Sequence, residues 1–113
     1  MPYIDLKTNV KITKEDEIKL KSGLGEAITA IPGKTEAWLM VGIEPEYSLY
    51  FKGEDSPAAM VTVSILGGAS AASYTDMTAR ICNLINRELD IPADRVYVQY
   101  FETENWGWNG SNF

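Results

Sequence analysis

The chain has 113 residues, of which 45% are hydrophobic and 23% charged, with a formal net charge of -6. That length and balance suit one globular domain spanning 1–113 and argue against disorder. The acidic surplus and the lack of any basic stripe speak against a nucleic-acid partner; no apolar run is long enough for a membrane span. There is no histidine and one cysteine, Cys82. Ser-His and Cys-His nucleophile pairs and an internal disulfide are therefore excluded, and few ligands remain for zinc, so no metal site is expected. No basic-then-apolar leader precedes Pro2, and a lone cysteine fits a reducing compartment; the expected location is cytoplasmic.

Met1-Pro2-Tyr3-Ile4-Asp5-Leu6 opens the chain. Ile4 and Leu6 alternate with Tyr3, Asp5 and Lys7, which predicts a half-buried strand over Pro2 to Thr8. Proline after the initiator methionine permits removal of Met1. A sheet-held secondary amine would remain at Pro2, the one base in this chain able to titrate near neutrality. Thr13 followed by Glu15 and Asp16 reads as a capped helix start. Ile18, Leu24, Ala27, Ile28 and Ile31 recur at helical spacing. Gly23 and Gly25 each cost about 1 kcal/mol against alanine, so packing must hold this helix, and close approach to a neighbouring element is one reason for glycine there. Pro32-Gly33 ends the helix.

Trp38 to Ile43 is nearly continuously apolar, as in a strand covered on both faces. A turn at Glu44-Pro45-Glu46 leads to a short strand, Ser48 to Lys52, and a polar loop, Gly53 to Pro57. Ala58 to Leu66 is the next strand, closed by Gly67-Gly68. A second helix spans Ala71 to Leu89, with Tyr74, Met77, Ile81, Leu84, Ile85 and Leu89 on its apolar face. Arg95 to Glu102 alternates as a final strand, before an aromatic, glycine-broken tail from Asn105 to Ser111.

The two halves share one β-α-β plan at a period of about 57 residues. The fold class is α+β: a duplicated β-α-β unit forming a four-stranded mixed sheet with both helices on one face. The bare face is expected to be covered by another copy of the chain.

Pro2, Gly33-Lys34 before an aromatic strand, Ile65-Leu66-Gly67, Asp94-Arg95-Val96-Tyr97 and Trp106-Gly107-Trp108-Asn109-Gly110-Ser111 stand in one order along the chain. In that order and near that spacing they resemble the macrophage migration inhibitory factor family of the tautomerase superfamily. The resemblance spans nearly the whole chain. It implies a homotrimer whose sheets form a central barrel, with a site at each subunit interface. It also implies cofactor-free keto-enol tautomerisation of small α-keto acids such as phenylpyruvate, an isomerase activity.

By that resemblance Pro2 is the catalytic acid-base. A terminal amine starts near about pKa 8, and burial and a nearby cation both push it towards the neutral form a proton shuttle needs. Lys34 matches the family's substrate-binding lysine; its plain alternative is a solvated cation past a helix end. Leu66 aligns with an isoleucine whose backbone N–H faces substrate. The family's Ser-Ile-Gly is Ile65-Leu66-Gly67 here, which leaves a one-residue shift open. Tyr97 matches a pocket tyrosine supplied by the adjacent subunit, and Gln99 stands where mammalian members have asparagine. Trp38 replaces a tyrosine. Trp106 and Trp108 resemble the wall at the pocket mouth, although Trp106 replaces a valine and the loop before it is shorter.

Two further readings stand beside the enzyme. One is a cytokine-like or host-directed protein that binds a receptor, exported without a signal peptide and with a vestigial pocket. The other is a dehalogenase- or decarboxylase-type chemistry using arginines, for which Arg80, Arg87 and Arg95 are poorly placed. The family's Cys-x-x-Cys is absent, with Ala58 and Val61 at those positions, and Cys82 is expected to be a buried small hydrophobe.

Overall fold

A computed structural model describes residues 1–113. Strand β1 is Pro2–Thr8, and its even-numbered residues are buried while the odd ones are half-exposed. Helix α1, Lys14–Ala27, starts where the Thr13 hydroxyl accepts the Asp16 N–H at 3.1 Å, with Glu15, Asp16 and Glu17 in the first turn. A tight turn, Ile28–Ala30, finishes it, and Gly33 at φ 80° reverses the chain. Strand β2 is Met40–Glu44, β3 is Ala59–Leu66, α2 is Ala71–Leu89 and β4 is Val96–Thr103. Ser70 caps α2, and Asp90 ends it in the left-handed conformation at φ 57°. Two short strands, β5 at Gly107–Trp108 and β6 at Ser111–Asn112, make a C-terminal hairpin.

The sheet order is β2-β1-β3-β4, with β1 antiparallel to β3 and each outer strand parallel to its inner neighbour. This is the duplicated plan: α1 begins at Lys14 and α2 at Ala71, 57 residues later. Ile4, Leu6, Val61, Val63 and Ile65 face Leu20, Leu24, Ile28, Met77, Ile81 and Ile85 in one core. Each such side chain contributes about 1.5–3 kcal/mol by leaving water. Gly23 lets the helices approach: a Cβ there would lie 2.3 Å from Leu84 Cδ1.

Four expectations need correction. Ile18 is 52% exposed, and Leu20 takes the inward position; at 100° per residue the two point about 160° apart. Glu36–Trp38 form a tight turn, so β2 starts only at Met40. β2 is an edge strand with one sheet neighbour, and in the single chain Met40 is 70% exposed on the face expected to meet another copy. No strand forms over Ser48 to Lys52; a single bridge joins Phe51 to Glu54, because Lys52 and Gly53 both have positive φ (55° and 75°) and turn the chain back. The last strand begins at Val96, with Ala93–Arg95 in a tight turn.

The face turned away from the helices carries Tyr3, the Asp5–Lys7 ion pair, Met40, Tyr97, Gln99 and Phe101. Tyr97 is 62% and Phe101 51% exposed there.

Candidate active site

The antiparallel register sets Pro2 opposite Ile65, which brings the chain start to the end of β3. The Leu66 N–H donates to the Met1 carbonyl at 3.1 Å. Lys34 arrives from the reversal after α1, its own N–H bonded to the Ile31 carbonyl at 3.1 Å. Its half-buried side chain crosses to β3, where Nζ donates to the Leu66 carbonyl at 3.1 Å. Pro2, Lys34 and Leu66 therefore meet within one chain.

Lys34 has no carboxylate partner; the five ion pairs of the chain lie elsewhere, at Asp5–Lys7, Lys14–Glu17, Glu15–Lys19, Asp76–Arg80 and Arg87–Glu88. Its charge falls on the terminal amine instead. Desolvation first, then the Lys34 charge and its hydrogen bond, hold the Met1 amine below its ordinary 8.0. Both causes disfavour the ammonium. With Met1 in place the Pro2 nitrogen is an amide and not basic.

The turn that carries Trp38 follows Lys34 closely. Met40, two residues on, pairs with Tyr3, so Trp38 stands at the N-terminal end of β1. Trp108 meets Trp38 edge-on with centroids 5.1 Å apart, and Phe113 stacks on Trp108 at 6.0 Å. The hairpin turn at Asn109 and Gly110, φ 52° and 87°, returns the chain so that Phe113 N–H reaches the Trp106 carbonyl at 3.0 Å. Trp106 is half-buried.

Tyr97 and Gln99 are not brought to Pro2. Tyr97 pairs with Met60, which pairs with Lys7, and Gln99 pairs with Thr62 opposite Asp5. Five residues of strand separate the Tyr97 row from the Pro2 row, about 17 Å at 3.3 Å per residue. Tyr97 instead lines an apolar cleft of about 120 Å³ with Leu49, Tyr50, Phe51, Ala58, Ala59, Met60 and Arg95. This most apolar cleft of the single chain lies away from Pro2.

Arg80 and Arg87 are paired on the α2 surface. Arg95 is spent on backbone carbonyls of residues 51–57. Burial pushes the Cys82 thiol up from its ordinary value, away from thiolate reactivity. Two features escaped the sequence reading. Phe113 joins the aromatic wall, which the Asn-Gly dipeptide between Trp108 and Ser111 signals as a hairpin turn. Met1 occupies the Leu66 N–H, for which the sequence carries no sign.

Residues 1–113 match the family described as macrophage migration inhibitory factor (MIF). Over 117 residues the chain is 32% identical to the macrophage migration inhibitory factor homolog of Trichinella spiralis, covering 100% of both. It is 30% identical over 115 residues to the mouse macrophage migration inhibitory factor, covering 100% of this chain and 99% of that one. Among solved structures, Leishmania major MIF2 superposes with a TM-score of 0.93 at 33% identity, covering 100% of this chain and 97% of that one. Matches that run from end to end in sequence and in fold place this chain in the macrophage migration inhibitory factor family.

Proposed function

We propose that the chain is a cofactor-free keto-enol tautomerase for small α-keto acids of the phenylpyruvate type, acting through Pro2 after Met1 is removed. The supporting observation is the desolvated chain start with the half-buried, carboxylate-free Lys34 beside it, which together hold the Met1 amine low. Removing Met1 would move the amine onto the Pro2 ring, one residue deeper into the sheet, where Pro2 is buried. The same cut removes the Met1 carbonyl and frees the Leu66 N–H.

The neutral ring nitrogen takes a proton from C3 of the keto acid. The C–H electron pair becomes the C2=C3 double bond and the carbonyl pair moves onto oxygen. Delivery of the Pro2 proton to that oxygen gives the enol and returns Pro2 to its neutral form. Lys34 and the Leu66 N–H hold the carboxylate or steady the developing oxyanion. Trp38, Trp106 and Trp108 form the wall that keeps water out. Tyr97 and Gln99, remote from Pro2 in their own chain, reach the Pro2 of a neighbouring subunit in a homotrimer, whose contact covers the bare sheet face. Phenylpyruvate turnover by the native protein and by Pro2→Gly tests this; equal rates would end it, and so would an intact mass that retains Met1.

A cytokine-like binding role is the second reading. The relatives' name and the exposed Trp108 and Phe113, 52% and 56% accessible, favour it. A receptor-binding assay on immune cells that gives no signal sets it aside. No helix is long and apolar enough to cross a membrane; the compartment proposed is the cytoplasm, with signal-free export as the alternative, and cell fractionation separates the two.

A further inference from the structure

The connection from residue 45 to 58 has no helix and a single bridge; besides the Thr8 hydroxyl, which donates to the Ala58 carbonyl at 2.7 Å, two side chains fix it. The Asn9 amide donates to the carbonyls of Leu49, Asp55 and Ser56 at 3.1, 3.1 and 3.0 Å, and its oxygen accepts the Ala58 N–H at 2.9 Å. Arg95 does the rest. Its Nε donates to the Pro57 carbonyl at 2.8 Å, Nη2 to Ser56 at 3.0 Å and Glu54 at 3.3 Å, and Nη1 to Phe51 at 3.4 Å. No carboxylate pairs with it, so the whole donor fork serves this loop. The guanidinium also lies 5.2 Å from the Phe51 ring centroid. Phe51 in turn meets Tyr97 edge-on, with centroids 4.9 Å apart and planes at 67°. Arg95, Phe51 and Tyr97 thus form one continuous line of contact, ending on a ring that is 62% exposed on the open face of the sheet.

We infer that Arg95 is a positioning residue: by clamping residues 51–57 it holds Phe51 against Tyr97 and fixes the ring that Tyr97 presents to a neighbouring subunit's Pro2. This rests on the tautomerase reading above. Only a planar fork with five donors spans four carbonyls at once; a lysine ammonium has three donors on a point and cannot. A loose Tyr97 misplaces a wall of the site without touching the base, and such a displacement is felt in substrate binding. The Pro2 environment, set by Lys34 and burial, stays as it was.

The test combines Arg95→Lys and Phe51→Leu, each alone and each with Tyr97→Ala, in protein whose trimeric state and melting are checked. Phenylpyruvate kinetics are followed across pH, and 3-fluorotyrosine labelling reports the Tyr97 ring, assigned with Tyr97→Phe. Either single change is expected to raise KM about tenfold with kcat within about twofold and an unshifted pH profile. Neither adds anything in the Tyr97→Ala background, because the route runs through Tyr97. The Tyr97 fluorine signal moves towards that of a mobile ring. An effect of equal size with and without Tyr97, a fall in melting temperature with KM unchanged, or a shifted pH profile overturns the inference. If the native protein turns over no substrate, the tautomerase reading fails by itself; the fluorine signal still decides whether Arg95 orders Tyr97, and an unchanged signal overturns that too.

Discussion

Replacing Lys34 by methionine separates two roles that one cation is proposed to play. The stem length is kept and the charge is lost. In the structure the Lys34 charge is the second cause, after desolvation, holding the terminal amine below its ordinary 8.0. If Lys34 acts in the same way on the Pro2 amine left after Met1 is removed, losing its charge leaves burial alone to hold that amine down, and its pKa rises. A base must be neutral to accept a proton, so activity falls as pH drops through the amine pKa; raising that pKa moves the acid limb of kcat/KM to higher pH. The second role is the bond to substrate. A hydrogen bond between charged partners is worth about 1.5–3 kcal/mol, so kcat/KM at the plateau is expected to fall about ten- to a hundredfold. Lys34 is half-buried rather than sealed, which favours the lower part of that range. Lys34→Arg keeps the charge but changes its reach, so it should keep the wild-type acid limb while losing plateau activity. The assay is phenylpyruvate tautomerisation against pH in protein shown by mass to lack Met1. An acid limb in Lys34→Met that coincides with wild type, together with an unchanged plateau, refutes both roles.

The two helical glycines should part company. A Cβ at Gly23 would meet the buried Leu84 side chain, with Cδ1, Cδ2 and Cγ at 2.3, 2.8 and 3.1 Å; overpacking of about 1–3 kcal/mol outweighs the gain of about 1 in helix propensity. Gly23→Ala therefore lowers the denaturation midpoint. A Cβ at Gly25 would meet the Glu36 side chain, with Oε2, Cδ and Cγ at 2.3, 2.5 and 3.0 Å. Because that exposed side chain can swing aside, Gly25→Ala should be neutral or stabilising by up to about 1 kcal/mol; both are compared at equal protein concentration. Tyr74, whose hydroxyl donates to Glu102, has its pKa pushed up to about 12 by burial first and by that carboxylate second. The phenol's contribution to stability is complete below pH 10.0 and is lost as pH rises through about 12. Tyrosinate absorbance should show Tyr74 ionising late, and Glu102→Gln should bring it part of the way back. Trp108→Ala removes an edge-on pair worth about 0.5–1.5 kcal/mol, and should raise KM for phenylpyruvate more than for a short aliphatic keto acid.

Much of the fold is legible because it rests on periodicity and caps. Alternation from Pro2 to Thr8 and the apolar stripe from Ala71 to Leu89 gave elements whose bounds the structure reproduces. Residue types alone cannot see backbone reversal, which is why Ser48 to Lys52 reads as a strand while Lys52 turns back at φ 55°. At the site, Pro2, Lys34 and Leu66 meet because sheet register and one glycine reversal bring them together, and the family spacing encodes both. The Arg95 clamp was not legible. Its acceptors are main-chain carbonyls, which every residue carries and no sequence pattern marks.

Neither end of this chain is a neutral place for a fusion. A purification handle ahead of Met1 would keep the Pro2 nitrogen in an amide bond and the Leu66 N–H engaged, so an inactive tagged preparation would say nothing about the untagged protein. An extension after Phe113 would pull on the ring stacked over Trp108. Recombinant work therefore calls for a cleavable leader that leaves proline first, and for labels on the exposed outer surface of α2, at Asn83 for example.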